Sequence, residues 1–239
     1  MPDVTSLVHH LIVAFLVVVI PLWDRRETRR LKTSTDPRVR VRGYQQTIGW
    51  QLVVTLILLA TTQPGALFAP PDAAVMLASR MPGVMRSVVI GLVAGLVMGA
   101  LIPLLLARRN AAALEKQRDQ LARFAFFLPH TREERWWFAA MCVAVGVCEE
   151  IIFRGFLIRY LASPTFNIGI IAAVIVAALI FGLDHGYQGW PGMLLTTVLA
   201  LLLTGAFFVT GALWLPMLLH ALLDLRVLLF VPRAPAPGS

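Results

Sequence analysis

The chain has 239 residues, of which 58% are hydrophobic and 14% are charged, and its mean hydropathy is +0.77. Soluble domains are ordinarily about 45–50% apolar and about 25% charged, and disordered chains are more polar still, so both classes are excluded. The net charge of +8 comes from 21 Lys and Arg residues against 13 Asp and Glu residues. Most of the basic residues lie in two loops between apolar runs, which is typical of membrane topology and not of nucleic-acid binding. The composition predicts an all-α, polytopic transmembrane helix bundle of about seven spans.

Three apolar runs in the N-terminal part, 6–23, 44–62 and 84–107, are each long enough to cross a bilayer as a helix. The first has no basic segment before it and no small-residue cleavage site after it, so we expect a retained helix and not a cleaved signal peptide. The loop 24–43 is strongly basic and is therefore predicted to lie in the cytoplasm. Together these spans form an N-terminal unit, 1–107. The basic side chains of its loop are Arg25, Arg26, Arg29, Arg30, Lys32, Arg38, Arg40 and Arg42.

Four further apolar runs, 136–162, 167–183, 190–210 and 212–231, form a C-terminal unit over residues 135–231. Seven crossings would place the N-terminus outside and the C-terminus in the cytoplasm.

A second basic segment, 108–134, connects the two units and is predicted to be cytoplasmic. Within 110–127, one helical face can hold Leu114, Leu121, Phe124 and Ala125, with charged residues between them, although Gln117 and Arg118 interrupt the stripe. This pattern indicates an amphipathic helix on the membrane surface, and a solvated connecting helix explains it equally well. The Pro-rich tail, 232–239, is predicted to be disordered.

Ionisable side chains within apolar spans are energetically costly, so they mark functional sites or interhelical ion pairs. In this chain they concentrate in the last four spans. Glu150 and Arg154 are four residues apart and can pair on one helix face. Glu149 is about 100° away around the helix from Glu150, which leaves it free to face a cavity.

Two further helices show the same four-residue spacing, with His220 and Asp224 on the last span and Phe181 and His185 at the end of the fifth. These groups indicate either a centre shared by three helices or ordinary interhelical contacts. Glu149 lies roughly 20 Å from the cytoplasmic start of its predicted span, whereas His185 lies close to the cytoplasmic end of its own span, so the two are predicted at different depths. A shared site therefore requires a later helix start, a tilt, or a cavity that reaches in from the cytoplasm.

Three motifs occur in order on separate predicted helices: EExxxR at 149–154, FxxxH at 181–185 and HxxxD at 220–224. This set resembles the CAAX-protease and bacteriocin-processing family of intramembrane proteases, the Abi-domain proteins. The resemblance covers about residues 135–231 and implies that this unit is a catalytic core, with the first three spans as a variable addition. Each motif alone is weak, whereas the three in order within membrane spans are specific. The family's usual Asn is replaced here by Asp224.

The resemblance implies hydrolysis of a peptide bond within the membrane, with water activated by Glu149 and His185 and the oxyanion stabilised by His220 and Asp224. A carboxylate in a low-dielectric cavity suits a general base, and an imidazole beside it can orient the water. An ionised Asp224 only accepts hydrogen bonds, so three states are open. It is protonated and donates, it orients His220, or it ligates a metal. The residues that would support the site structurally are Glu150, Arg154 and Phe181.

No cofactor or metal is predicted, and zinc is the open alternative because Glu149, His185 and His220 form an adequate catalytic ligand set. The motifs of other protease classes are missing from the sequence. It contains no HExxH, no GxSxG and no pair of aspartates embedded in spans.

The leading hypothesis is a glutamate-type intramembrane endopeptidase. The alternatives are a non-proteolytic membrane scaffold or immunity protein of the same fold, and a proton-coupled transporter, against which the lack of internal repeats weighs. The expected partners are the lipid bilayer and a membrane-associated peptide or protein, with no nucleic acid. The resemblance allows prenylated C-terminal peptides, bacteriocin leaders or C-terminal sorting tails as substrates. The Arg- and Ala-rich, Lys-poor composition favours a bacterial inner-membrane protein and a bacterial substrate.

Overall fold

The computed structural model describes residues 4–166 and 168–231. Within these ranges the chain forms helices joined by short connections, with no β-strand. The prediction of an all-α fold is therefore confirmed. The predicted disordered tail, 232–239, lies outside the described residues.

Each of the seven predicted spans overlaps a helix of the structure. The helices in chain order are α1 (Val4–Thr33), α2 (Val39–Thr61), α3 (Pro64–Phe68), α4 (Asp72–Arg80), α5 (Gly83–Arg109), α6 (Ala111–Ala122), α7 (132–161), α8 (Ile170–Leu183), α9 (Gly189–Thr210) and α10 (Trp214–Leu225). The basic loop after α1 is shorter than predicted because the helix continues to Thr33. Arg, Lys and Glu are good helix formers, so this charged sequence extends the apolar helix.

Two helices of the described residues are long and apolar enough to cross a membrane, namely Val4–Thr33 and Gly186–Thr210. The segments Arg86–Gly99 and Ile170–Leu183 are shorter apolar helices. The structure thus gives two clear apolar spans, and the arrangement with seven crossings stays a prediction.

The largest buried cluster joins the N-terminal and C-terminal units. Leu16 of α1 and Leu58 of α2 are fully buried and belong to the same cluster as Ile152 of α7 and Phe181 of α8. A smaller cluster places the buried ring of Tyr44 against the first half of α7. The two units therefore share one core, so α1 and α2 pack directly on the helices that carry the three motifs.

α7 and α10 come close together at Gly146. A Cβ atom at this position would lie 2.7 Å from the backbone nitrogen of Ala221 and 2.8 Å from its Cα. These distances are well inside van der Waals contact, so the approach requires glycine. Glu150 lies about one turn after Gly146, and His220 directly precedes Ala221. The close approach thus brings the EExxxR and HxxxD motifs together.

α7 starts with a capping box and changes its winding where the motif begins. Thr131 Oγ1 accepts a hydrogen bond from the backbone nitrogen of Glu134 at 3.1 Å, and Glu134 Oε2 accepts one from the backbone nitrogen of Thr131 at 3.0 Å. The helix is α-helical over Arg132–Glu149 and π-helical over Glu150–Leu157. Single π turns inside α-helices are frequent at functional sites.

Candidate active site

Glu149 is the last residue of α7 before its π-helical segment and is 8% exposed. Its two carboxylate oxygens have different surroundings. Oε1 accepts a hydrogen bond from Nε2 of Gln51 at 2.7 Å. Oε2 is buried and has no hydrogen-bond partner among the described residues, and Nε2 of His220 lies 3.8 Å from it. One oxygen is thus held in place while the other stays available.

Glu150 is fully buried and bound from two sides. Its Oε1 lies 3.0 Å from Nη1 of Arg154 and 2.8 Å from Nδ1 of His220. The ion pair expected between Glu150 and Arg154 is therefore present. Arg154 is 1% exposed and also donates from Nη2 to the backbone carbonyl of Ala200 at 3.3 Å. This network ties α7 to both α9 and α10.

His185 follows the end of α8, and its ring is fixed by its own helix. Nδ1 lies 2.7 Å from the backbone carbonyl of Phe181. A carbonyl oxygen only accepts hydrogen bonds, so Nδ1 carries a proton and Nε2 of the neutral ring is an acceptor. The imidazole also packs on the Phe181 ring, with the centroids 4.8 Å apart. Nε2 is therefore available to take a proton from water or to orient one.

The buried ring of Phe181 connects the motifs. The guanidinium of Arg154 lies over this ring at 4.6 Å from its centroid. The His220 ring meets it edge-on at 5.9 Å, and Phe153 does so at 4.9 Å. Phe181 thus packs against both Arg154 and His220 and holds their side chains in place.

His220 is 3% exposed, whereas Asp224 reaches the surface of the site. Nδ1 of His220 is occupied by Glu150, and its Nε2 lies 3.7 Å from Oδ2 of Asp224. That distance is longer than a hydrogen bond, so the two side chains are neighbours without being bonded. The Asp224 side chain is 39% exposed.

A cavity of about 480 Å³ unites these residues. Glu149, His185 and Asp224 all line it, together with residues from both units. His220 does not line it and meets the site through Glu149 and Asp224. The cavity extends to Glu27 and Leu31, near the end of α1 that leads into the basic loop. The structure thus shows a cavity shared by the site residues, and its opening toward the cytoplasm stays a prediction.

The connecting segment forms one wall of this cavity. Leu121 and Phe124, two of the apolar residues that suggested an amphipathic helix, line it together with Phe127. The aromatic ring of Phe124 also lies 6.4 Å from that of Tyr187, beyond the FxxxH motif. Part of the apolar face of this segment therefore covers the protein's own cavity.

Sequence reasoning missed Gln51, which contacts Glu149 directly. A signal was present, because Tyr44, Gln51 and Leu58 recur every seven residues on α2 and are all fully buried. A polar residue in the centre of such an apolar stripe indicates a functional contact. Asp184 and Tyr187 also line the cavity, directly beside the predicted His185.

Among the described residues, no group of three His, Cys, Asp or Glu side chains is arranged to hold a metal ion. Glu149, His185 and His220 are thus near one another without forming a ready ligand set.

The family comparison supports the motif analysis. Residues 131–226 match the family model described as type II CAAX prenyl endopeptidase, Rce1-like. This family consists of membrane-embedded proteases, and the match confirms the predicted resemblance to the CAAX-protease family. The matched segment contains all three motifs and leaves α1 to α6 outside it. Neither the curated proteins nor the solved structures gave a match to the chain.

Proposed function

We propose that the protein is an intramembrane endopeptidase of the glutamate type, in which Glu149 and His185 activate a water molecule. The observation that carries this proposal is the free Oε2 of Glu149. This oxygen is buried and has no hydrogen-bond partner among the described residues, and Glu149 lines the same cavity as His185. The match to a family of CAAX prenyl endopeptidases supports the same chemistry.

In the proposed reaction, the water oxygen adds to the carbonyl carbon of the peptide bond while Oε2 of Glu149 takes one of its protons. The acceptor Nε2 of His185 orients the water by its remaining hydrogen. The carbon–nitrogen bond of the tetrahedral intermediate then breaks, and the proton on Glu149 passes to the leaving nitrogen. The products are a carboxylic acid and an amine.

We assign the stabilisation of the oxyanion to His220 and Asp224. Nδ1 of His220 donates to the Glu150 carboxylate, so Nε2 also carries a proton only when the ring is an imidazolium. In that form Nε2, which lies 3.8 Å from Glu149 and 3.7 Å from Asp224, can donate to the developing negative charge. Asp224 assists in this role when its carboxyl group is protonated and donates. The buried Glu150 holds His220 from the opposite ring nitrogen.

We further propose seven membrane crossings, with both basic segments in the cytoplasm, the N-terminus outside and the C-terminus inside. The density of Arg and Lys around the end of α1 favours this orientation. The cavity extends toward the same end of α1, so a substrate would enter from the cytoplasmic side. The substrate class that fits best is the tail of a membrane-associated peptide or protein in a bacterial inner membrane.

The test uses purified protein in proteoliposomes with two quenched fluorescent peptides, one ending in a prenylated cysteine motif and one carrying an unprenylated hydrophobic tail. We expect wild-type protein to cleave at least one of them. Glu149→Gln and His185→Ala should each lower turnover by about 10²–10⁴-fold and leave expression and thermal stability nearly unchanged. Glu133→Gln is the matched control, because Glu133 is an exposed carboxylate on the same helix.

The alternatives give different results in the same assay. A scaffold or immunity protein would cleave neither peptide, and a transporter would carry protons across the vesicle membrane without cleavage. Near-wild-type turnover by Glu149→Gln or His185→Ala would refute the mechanism even if the protein is a protease.

A further inference from the structure

Gln51 occupies an unusual position for an amide side chain. It lies on α2, outside the family-matched segment 131–226, and it is fully buried. Val54 and Leu58, which follow it on the same helix, are buried in the core against α7. An apolar residue at position 51 would continue this stripe, so packing alone does not explain a glutamine here.

The contact that Gln51 makes is directed at the proposed general base. Its Nε2 donates to Oε1 of Glu149 at 2.7 Å, and both side chains are buried. Hydrogen bonds to an ionised carboxylate are roughly twice as strong as neutral ones. The amide oxygen of Gln51 has no hydrogen-bond partner among the described residues. Burying this oxygen is therefore energetically unfavourable, and only the N–H donor of the amide forms a hydrogen bond. The donated bond to Glu149 is what the buried amide contributes.

This bond acts on both properties that a general base needs. It occupies one carboxylate oxygen, which fixes the orientation of the side chain and leaves Oε2 without a hydrogen-bond partner among the described residues. It also favours the ionised form of Glu149, since an amide N–H donates to a carboxylate. Without this donor, a carboxyl group in such a buried position would tend to hold its proton and could not accept one from water.

The rest of the N-terminal unit supports the same conclusion. Trp23 and Asp24 of α1 and Thr47 and Trp50 of α2 line the cavity. The rings of Trp23 and Trp50 contact each other edge-on, with the centroids 6.5 Å apart. The first two helices therefore form a wall of the site as well as a contact to its base.

We propose that Gln51 is a positioning residue for catalysis. In this proposal α2 completes the active site, and the family-matched segment 131–226 is not sufficient for turnover without it. This inference rests on the proposed function of Glu149. It predicts that the N-terminal unit is required for turnover and not only for folding.

The experiment compares Gln51→Met with wild type in the full chain, with whichever of the two fluorescent peptides the wild type cleaves as the probe. Methionine is close to glutamine in size and shape but cannot donate. We expect kcat near neutral pH to fall by about 10- to 100-fold, with KM unchanged. Activity should return as the pH is raised, because Glu149 then ionises without the amide. Gln46→Met is the matched control, since Gln46 is an exposed glutamine of the same helix.

The outcomes separate this inference from the proposed function. If Glu149→Gln is inactive and Gln51→Met keeps wild-type kcat and pH profile, the positioning role is wrong and the protease mechanism stands. If Gln51→Met loses activity equally at every pH together with thermal stability, its role is structural and the inference is again wrong. Gln51→Glu, which keeps the shape of the side chain, serves where Gln51→Met does not fold. Its second carboxylate should abolish turnover near neutral pH, and wild-type turnover by this variant would overturn the proposal.

Discussion

Replacing Arg154 with alanine tests how strongly the buried ion pair of α7 stabilises the fold. The guanidinium of Arg154 is 3.0 Å from Oε1 of Glu150 and donates to the carbonyl of Ala200 at 3.3 Å. It also lies 4.6 Å from the centroid of the Phe181 ring. Alanine removes all three contacts at once and leaves the carboxylate of Glu150 with fewer partners in a fully buried position.

The expected loss can be estimated from these contacts. Removing one partner of a buried ion pair costs about 3–5 kcal/mol because the other charge is left uncompensated. His220 still donates to Glu150 at 2.8 Å, which places the charge effect near the lower end. The lost cation–π contact adds up to about 2 kcal/mol when it is desolvated. Since contributions at neighbouring sites do not simply add, we expect the free energy of unfolding to fall by about 3–5 kcal/mol in total.

The measurement is reversible unfolding of the detergent-solubilised protein, followed together with cleavage activity. Arg159→Ala is the matched control, because Arg159 lies on the same helix and its hydrogen bonds go to the backbone carbonyls of Ala66 and Ala69. It should cost less than Arg154→Ala. The double variant Glu150→Gln with Arg154→Met removes both charges and should recover part of the loss. An Arg154→Ala protein as stable as wild type would show that Glu150 is compensated in another way.

Two further predictions concern Asp224 and the topology. Asp224→Asn should keep most of the turnover and hold it to higher pH, because an amide donates a hydrogen bond and cannot ionise. Chelators should leave the wild type active. The purified enzyme would instead have a metal site that includes Asp224 if it contained stoichiometric zinc, lost both zinc and activity on chelation, and regained activity when zinc was added back. For topology, Thr35→Cys lies on an exposed connection between α1 and α2 and should resist a membrane-impermeant maleimide in intact cells but react after permeabilisation. Labelling in intact cells would show that the orientation is the reverse of the predicted one. The native Cys142 and Cys148 are buried, so they should give a low background.

The features that local sequence rules describe were predictable. Apolar run length located the helices, because a chain in lipid must satisfy its backbone hydrogen bonds within each segment. The i,i+4 spacing predicted the Glu150–Arg154 ion pair, which depends only on helix geometry. The order of the three motifs predicted the family resemblance that the match to residues 131–226 confirms.

The features that depend on contacts between distant segments were not predictable in the same way. Gln51 and Glu149 are 98 residues apart, and nothing in either local sequence specifies that they meet. The spacing of His220 and Asp224 suggested a pair, but Nδ1 of His220 bonds Glu150 instead. The reason lies at Gly146, where α7 and α10 approach each other closely. This approach places Glu150 nearer to the imidazole of His220 than Asp224, which lies one turn further along α10.

The two glutamates of the EExxxR motif have identical side chains but different hydrogen-bond and ion-pair partners, which suit them to different roles. Glu150 is enclosed by the Arg154 guanidinium and the His220 imidazole, so a proton on its carboxyl group would disrupt a structural network. Glu149 receives one hydrogen bond from a neutral amide, and its other oxygen has no hydrogen-bond partner in the part of the chain that the structure describes. A general base must gain and lose a proton in each cycle. Glu149, whose Oε2 is 3.8 Å from the nearest imidazole nitrogen, can do so with less disruption than Glu150, which is in direct contact with both Arg154 and His220. The geometry therefore supports the division that helix spacing predicts, in which Glu149 is proposed for proton transfer and Glu150 for holding the helices together.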